Sequence, residues 1–197
     1  MKFSNKEIKD LFWAWIFISL AFAILFSELN FNSIFLTSFI ISGLTVGIGF
    51  LFHELMHKYL AQKYHLWAEF RASYSMLFLA VLFSFLGFII AAPGAVMIQG
   101  HITKEKNGKI SLAGPATNIV LAIIFFIPLL ILNTPGILNL FLLYGFKINS
   151  LLALFNLLPF IPFDGGKVYG WNKIIYLISV LLAGGLFLIS FLFKILL

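Results

Sequence analysis

Cysteine is absent from all 197 residues. That excludes a disulfide framework, a thiolate zinc site and a thiol nucleophile, and it leaves the redox compartment unreadable. Charge is scarce as well: 10% of residues are Asp, Glu, Lys or Arg, against 62% hydrophobic and a mean hydropathy of +1.08. A soluble domain of this length cannot bury so much apolar surface, so the bilayer is the expected solvent. The formal net charge is +6, from 13 Lys+Arg and 7 Asp+Glu. The basic residues lie scattered between apolar runs, with no basic cluster interleaved with aromatics. That pattern speaks for membrane topology and against a nucleic-acid partner. The first apolar run lacks a small-residue cleavage site and is expected to remain as an anchor. With no room for a separate soluble sensory or peptide-binding domain, one transmembrane domain over residues 1–197 is expected.

What is present is a series of apolar runs. Leu11 to Ser27 forms the first, and Phe31 to Phe52 the second, with its helix expected to continue to about Lys63. Tyr64 to Ser75 alternates polar and apolar residues as a short strand does. Ala72 to Gly100 carries no charge and is broken at Pro93-Gly94. Val96 to Ile102 and Lys109 to Leu112 flank Asn107-Gly108, a pair that favours a tight turn, so a β-hairpin is expected there. Further spans run from about Ser111 to Leu132, from a turn at Asn133-Thr134-Pro135-Gly136 to near Pro159, and from Ile174 to Leu197. The fold class expected is an all-α membrane protein, a polytopic bundle of five to six transmembrane helices with a small membrane-associated β-hairpin or sheet.

Charge sets the expected orientation. Lys2, Lys6 and Lys9 place the N-terminus inside, and the linker at Glu28 has no Lys or Arg and falls outside. Lys58, Lys63 and Arg71 then lie inside, as do Lys104, Lys106 and Lys109. With both groups inside, Ala72 to Gly100 does not cross once. It is expected to re-enter the membrane, which gives five spans; six follow if Met76 to Ala92 crosses.

The chemistry concentrates at His53-Glu54-Leu55-Met56-His57. Histidines four residues apart on a helix differ by about 40° in direction and face one way. They can share one zinc ion, with the intervening Glu54 placed as a general base toward water. Ionisable groups in a membrane helix are costly and usually functional. Zinc that performs catalysis takes three protein ligands and leaves one position open. Glu7, Asp10 and Glu28 are expected far from the histidines, and Glu69 and Glu105 lie in charged linkers. His65 and His101 remain open as ligands. Asp164 stands out as a lone acid behind an apolar, proline-bearing run and before Gly165-Gly166. If Asp164 shares the metal, its helix must end on the side where the histidine helix ends, and this agrees with the orientation drawn from charge.

Three blocks together resemble the signatures of the site-2 protease family of intramembrane zinc metalloproteases. They are His53 to His57, Ala113-Gly114-Pro115-Ala116-Thr117-Asn118, and Asn156-Leu157-Leu158-Pro159 leading to Asp164-Gly165. They match in order and approximate spacing, over a catalytic core of about residues 34–170. The resemblance implies one zinc ion held by His53, His57 and Asp164, and Glu54 as the base. It implies that Asn118 and Asn156 support substrate or the oxyanion; the other reading of each is an interhelical hydrogen bond. The implied activity is regulated intramembrane proteolysis, hydrolysis of peptide bonds in or beside transmembrane segments of membrane-protein substrates. The charge pattern and the small soluble fraction give the expected setting: a multi-pass protein of a prokaryotic cell membrane, with its N-terminus and active-site opening on the cytoplasmic side. The sequence leaves the oligomeric state open.

Two alternatives use the same ligands without hydrolysis: a metal-binding membrane transporter and an inactive protease-like scaffold. Neither needs a base beside the ligands. A prenyl-protein protease would need a downstream Glu ligand, and no Glu follows position 105.

Overall fold

The structure is a computed structural model that describes residues 1–89, 93–132 and 135–196. The first helix starts with a side-chain cap: the Ser4 hydroxyl accepts from the Glu7 N–H and opens α1, Asn5–Phe26. A helix over Ser33–Lys63 follows as α2 (Ser33–Ser42), one π-helical turn (Gly43–Gly47) and α3 (Ile48–Lys63). The wide turn has a visible cause in packing. The Trp15 indole of α1 donates to the Gly43 carbonyl at 3.0 Å, and a Cβ on Gly47 would land on the same indole. A satisfied carbonyl and a missing side chain let α1 press against the turn.

β1 (Trp67–Ala72) leads to α4 (Tyr74–Ser84), and β2 (Gly94–Gln99) pairs back on β1 antiparallel, Phe70 opposite Val96. α5 (Lys104–Leu132), α6 (Ile137–Asn156), α7 (Asp164–Trp171) and α8 (Lys173–Leu196) complete the chain. Five helices are long and apolar enough to cross a membrane: α1, the α2–α3 helix, α5, α6 and α8. Their outward side chains are apolar, as at Ile131, Leu181 and Leu188. This is a helical membrane bundle with a small sheet. α4 has 11 residues, about 16 Å of helix, against roughly 30 Å of hydrocarbon. It does not cross. The end of the Met76–Ala92 segment and the Asn133-Thr134 part of the expected turn lie outside the described residues.

The expected hairpin over Val96–Leu112 is corrected. Its first arm is β2, but its partner is β1, and Lys104 to Leu112 is helix. Thr103 caps that helix: its hydroxyl accepts from the Lys106 N–H at 3.3 Å, and its carbonyl from the Asn107 N–H at 2.9 Å. Lys109 pairs with Glu105 one turn back at 2.5 Å. Gly108 serves close packing, since a Cβ there would strike the Trp171 side chain.

Side chains of α1 and α3 tie down the β1 edge of the sheet. Glu7 accepts from the Phe70 N–H at 2.9 Å and Asp10 from the Ala72 N–H at 3.4 Å, while the Ala68 carbonyl accepts from Gln62 at 3.3 Å. Glu7 also pairs with Lys58, both fully buried. Glu7 thus packs against the histidine helix at Lys58 and stands outside the ligand group. Lys2 reaches Gln62 at 3.1 Å, and the Lys106 ammonium lies 5.7 Å from the Tyr64 ring centre. The N-terminus of α1, the C-terminus of α3 and the N-terminus of α5 thus gather at one end of the bundle.

Candidate metal centre

α3 carries His53, Glu54 and His57, all buried. It ends just beyond them, where Leu66 N–H and His65 N–H bond the Ala61 and Gln62 carbonyls at 3.1 and 3.0 Å and His65 takes a φ of 60°. His65 is the helix stop, is exposed and joins no ligand group; His101 is exposed too.

Each imidazole is held from behind. His57 Nδ1 lies 2.7 Å from the Ile110 carbonyl, and His53 Nδ1 lies 2.6 Å from Asn118 Oδ1. Both Nε2 atoms therefore turn to one point and stand 3.0 Å apart. Asp164 Oδ2 is 3.0 Å from His57 Nε2 and 3.5 Å from His53 Nε2. Among the described residues, His53, His57 and Asp164 form the one such group able to hold a metal. Two ligands about 2.05 Å from a tetrahedral zinc lie about 3.3 Å apart. The three observed separations bracket that value. A Cβ on Gly114 would fall on both Nε2 atoms, so α5 leaves a recess at the point where they converge. The donor set and the recess fit zinc.

Asp164 reaches the site because α7 begins at that residue, directly after the loop from α6. Gly165 permits the approach, since a Cβ there would meet the Leu157 and Leu158 carbonyls. Phe163 packs on Phe155 and Phe160 with ring centres 4.8 and 5.3 Å away, which holds the loop. Burial alone would raise the Asp164 carboxyl, but His57 and His53 beside it hold it below the usual carboxylate range. Lys167, half-exposed, stands 3.5 Å from the other Asp164 oxygen. Glu54 lies against the Val96 backbone of β2, within electrostatic reach of His53, Asp164 and Lys167.

The two expected substrate asparagines sit differently. Asn118 is fully buried behind His53, and its amide nitrogen donates to Gly49 O at 3.2 Å and Asn149 Oδ1 at 3.0 Å. Both N–H groups are spent, so none is left for an oxyanion; in this geometry Asn118 is an interhelical bridge. Asn156 donates to the Leu152 carbonyl of its own helix at 2.9 Å. Sequence reasoning passed over Asn149 and Lys167. The signal for Asn149 was the one applied to Asn118, a polar amide inside an apolar run.

The chain is 48% identical over 179 residues, 90% of each chain, to a protein of Methanocaldococcus jannaschii named "putative zinc metalloprotease". No family model matches the chain, and no solved structure matches it.

Proposed function

The chain belongs to the family of that Methanocaldococcus jannaschii metalloprotease, and from this premise we propose that it is an intramembrane zinc endopeptidase of the site-2 protease kind. The observation that carries the reading is the convergence of His53, His57 and Asp164 within 4.8 Å beside a buried Glu54. Zinc bound there supplies Lewis acidity toward a carbonyl and makes water acidic enough to be deprotonated near neutrality. Glu54 takes the proton as water attacks the scissile carbonyl, then returns it to the leaving amine nitrogen. The Ile110 carbonyl and Asn118 keep both imidazoles aimed. Substrate and bilayer are the partners in this reading, and one zinc ion is the cofactor.

A helical substrate hides its carbonyls and must be held extended. Residues 68, 70 and 72 turn their backbone groups away from β2, toward Gln62, Glu7 and Asp10. Their partners Ile98, Val96 and Gly94 must then point theirs away from β1, by the antiparallel alternation. The outer edge of β2 has no strand partner among the described residues, and Val96 on it adjoins Glu54. Strand addition there would lay a peptide along the base. Ile98→Pro removes one outward N–H at an edge position that tolerates proline. It is expected to cut cleavage about tenfold or more, with zinc content unchanged.

The basic end of the bundle, with Lys2, Lys6, Lys9, Lys63, Lys104 and Lys106, is assigned to the cytoplasmic face of a prokaryotic cell membrane. In this reading the active site would open toward that face. A metal transporter would use the same ligands without Glu54. The deciding experiment is Glu54→Gln in the purified protein with a model transmembrane substrate. Cleavage is expected to fall by about 10²–10⁴ while zinc stays bound; an active Glu54→Gln protein would overturn the enzyme reading.

A further inference from the structure

Behind His53 runs a chain of amide hydrogen bonds that crosses three helices. Asn149 Nδ2 of α6 donates to the Gly145 carbonyl at 2.9 Å. Asn149 Oδ1 accepts from Asn118 Nδ2 of α5 at 3.0 Å, and the same nitrogen donates to the Gly49 carbonyl of α3 at 3.2 Å. Asn118 Oδ1 then faces His53 Nδ1 at 2.6 Å. Asn118 and Asn149 are both fully buried, so no water can complete a mismatched bond. Gly49 is needed for the crossing, because a Cβ there would land on Asn149 Oδ1.

The polarity of this chain is forced from its ends. Gly145 O and Gly49 O are carbonyls, which only accept. Turning the Asn149 amide over would set oxygen against Gly145 O and nitrogen against the Asn118 nitrogen. Turning the Asn118 amide over would set its oxygen against both Gly49 O and Asn149 Oδ1. A buried acceptor facing an acceptor forfeits the bond and keeps the desolvation cost. Asn118 must therefore present oxygen to His53. His53 Nδ1 must carry the proton, and its Nε2 lone pair is left for the metal.

We propose that Asn149 is a positioning residue for the metal centre, fixing the Asn118 amide and through it the metal-binding tautomer of His53. His57 needs no such relay, because Ile110 O bonds its Nδ1 directly. The proposal rests on the metalloprotease reading only for its use of Nε2 as the ligand. Its hydrogen-bond polarity exists without metal.

The test is made on the full chain in detergent or nanodiscs. In the metal-free wild type labelled with ¹⁵N-histidine, and with His53→Gln to assign the signal, neutral His53 is expected as the Nδ1–H tautomer. Finding the Nε2–H tautomer overturns the proposal, and this arm needs no folded Asn149 variant. Zinc titration then compares two changes. Asn149→Leu removes the acceptor and is expected to weaken zinc about tenfold or more. Asn149→Asp, held by burial as the neutral acid, keeps an oxygen toward Asn118 and an O–H toward the Gly145 carbonyl, and is expected to stay within a few-fold of wild type. Ser150→Ala, equally buried and bonded within its own helix, is the packing control and should leave zinc affinity unchanged. Wild-type affinity in Asn149→Leu, or equal losses in the Leu and Asp variants, would contradict the relay. Failure of the wild type to bind zinc would instead sink the metalloprotease reading and leave the tautomer result standing.

Discussion

At the residue scale the site depends on where side chains are missing as much as on where they are. Gly114 gives the clearest case, because its hydrogen occupies the recess between the two Nε2 atoms. Gly114→Ala should favour the helix, since Gly costs about 0.5–1 kcal/mol there, yet obstruct the metal. The expected outcome is zinc affinity lower by about tenfold or more, with a melting temperature within a few degrees of the parent, measured by titration and thermal unfolding. A general loss of folding would show that the recess is structural. The histidine pair and Asp164 were legible in the sequence, because a four-residue spacing fixes two ligands locally and a lone acid in an apolar setting needs a partner. Asn118 and Asn149 were not legible as a relay. An amide in an apolar helix announces a partner without naming it, and the partner of each comes from another helix.

At the element scale, α1 acts as a brace for the sheet. Glu7 alone holds Lys58 of α3 and the Phe70 N–H of β1, and Asp10 adds Ala72 N–H and the Tyr74 hydroxyl, the latter at 2.7 Å. Removing one partner of a buried pair leaves the other charged and alone, at a cost of about 3–5 kcal/mol. Glu7→Gln is expected to lower stability by that order, with much of the loss recovered in the double change Glu7→Gln, Lys58→Met; equal stabilities of single and double variants would refute it. Glu69 of β1 contributes a pH dependence. Its hydrogen bonds from Arg71 and then Ser4 hold its carboxyl below the ordinary 4.5. A depressed acid stabilises the fold above its unfolded value, and the contribution is lost as pH falls through the folded one. Unfolding curves should show that loss below about 4.5, and Glu69→Gln should flatten it. The misassigned hairpin belongs to this scale. Asn107-Gly108 by itself favours a tight turn over a helix, and what overrides it is the Thr103 cap with the Trp171 packing, of which the second is tertiary.

At the scale of the whole molecule, five long helices were readable from composition, because a membrane span must be continuous and apolar. The short α4 was the ambiguous part, since an apolar run gives no sign of where its helix ends. The gathering of the α1, α3 and α5 ends fixes a relation that orientation experiments can read. A tag at Asn107 is expected on the same side as the N-terminus; opposite sides would contradict the arrangement. The central claim is that two imidazoles of one helix and a carboxylate more than 100 residues later share one metal ion. Zinc stoichiometry of the purified protein, with and without Asp164→Ala, tests it most directly. About one zinc per chain is expected in the parent, with a large loss in the variant; no zinc in the parent, or equal zinc in both, would contradict the account.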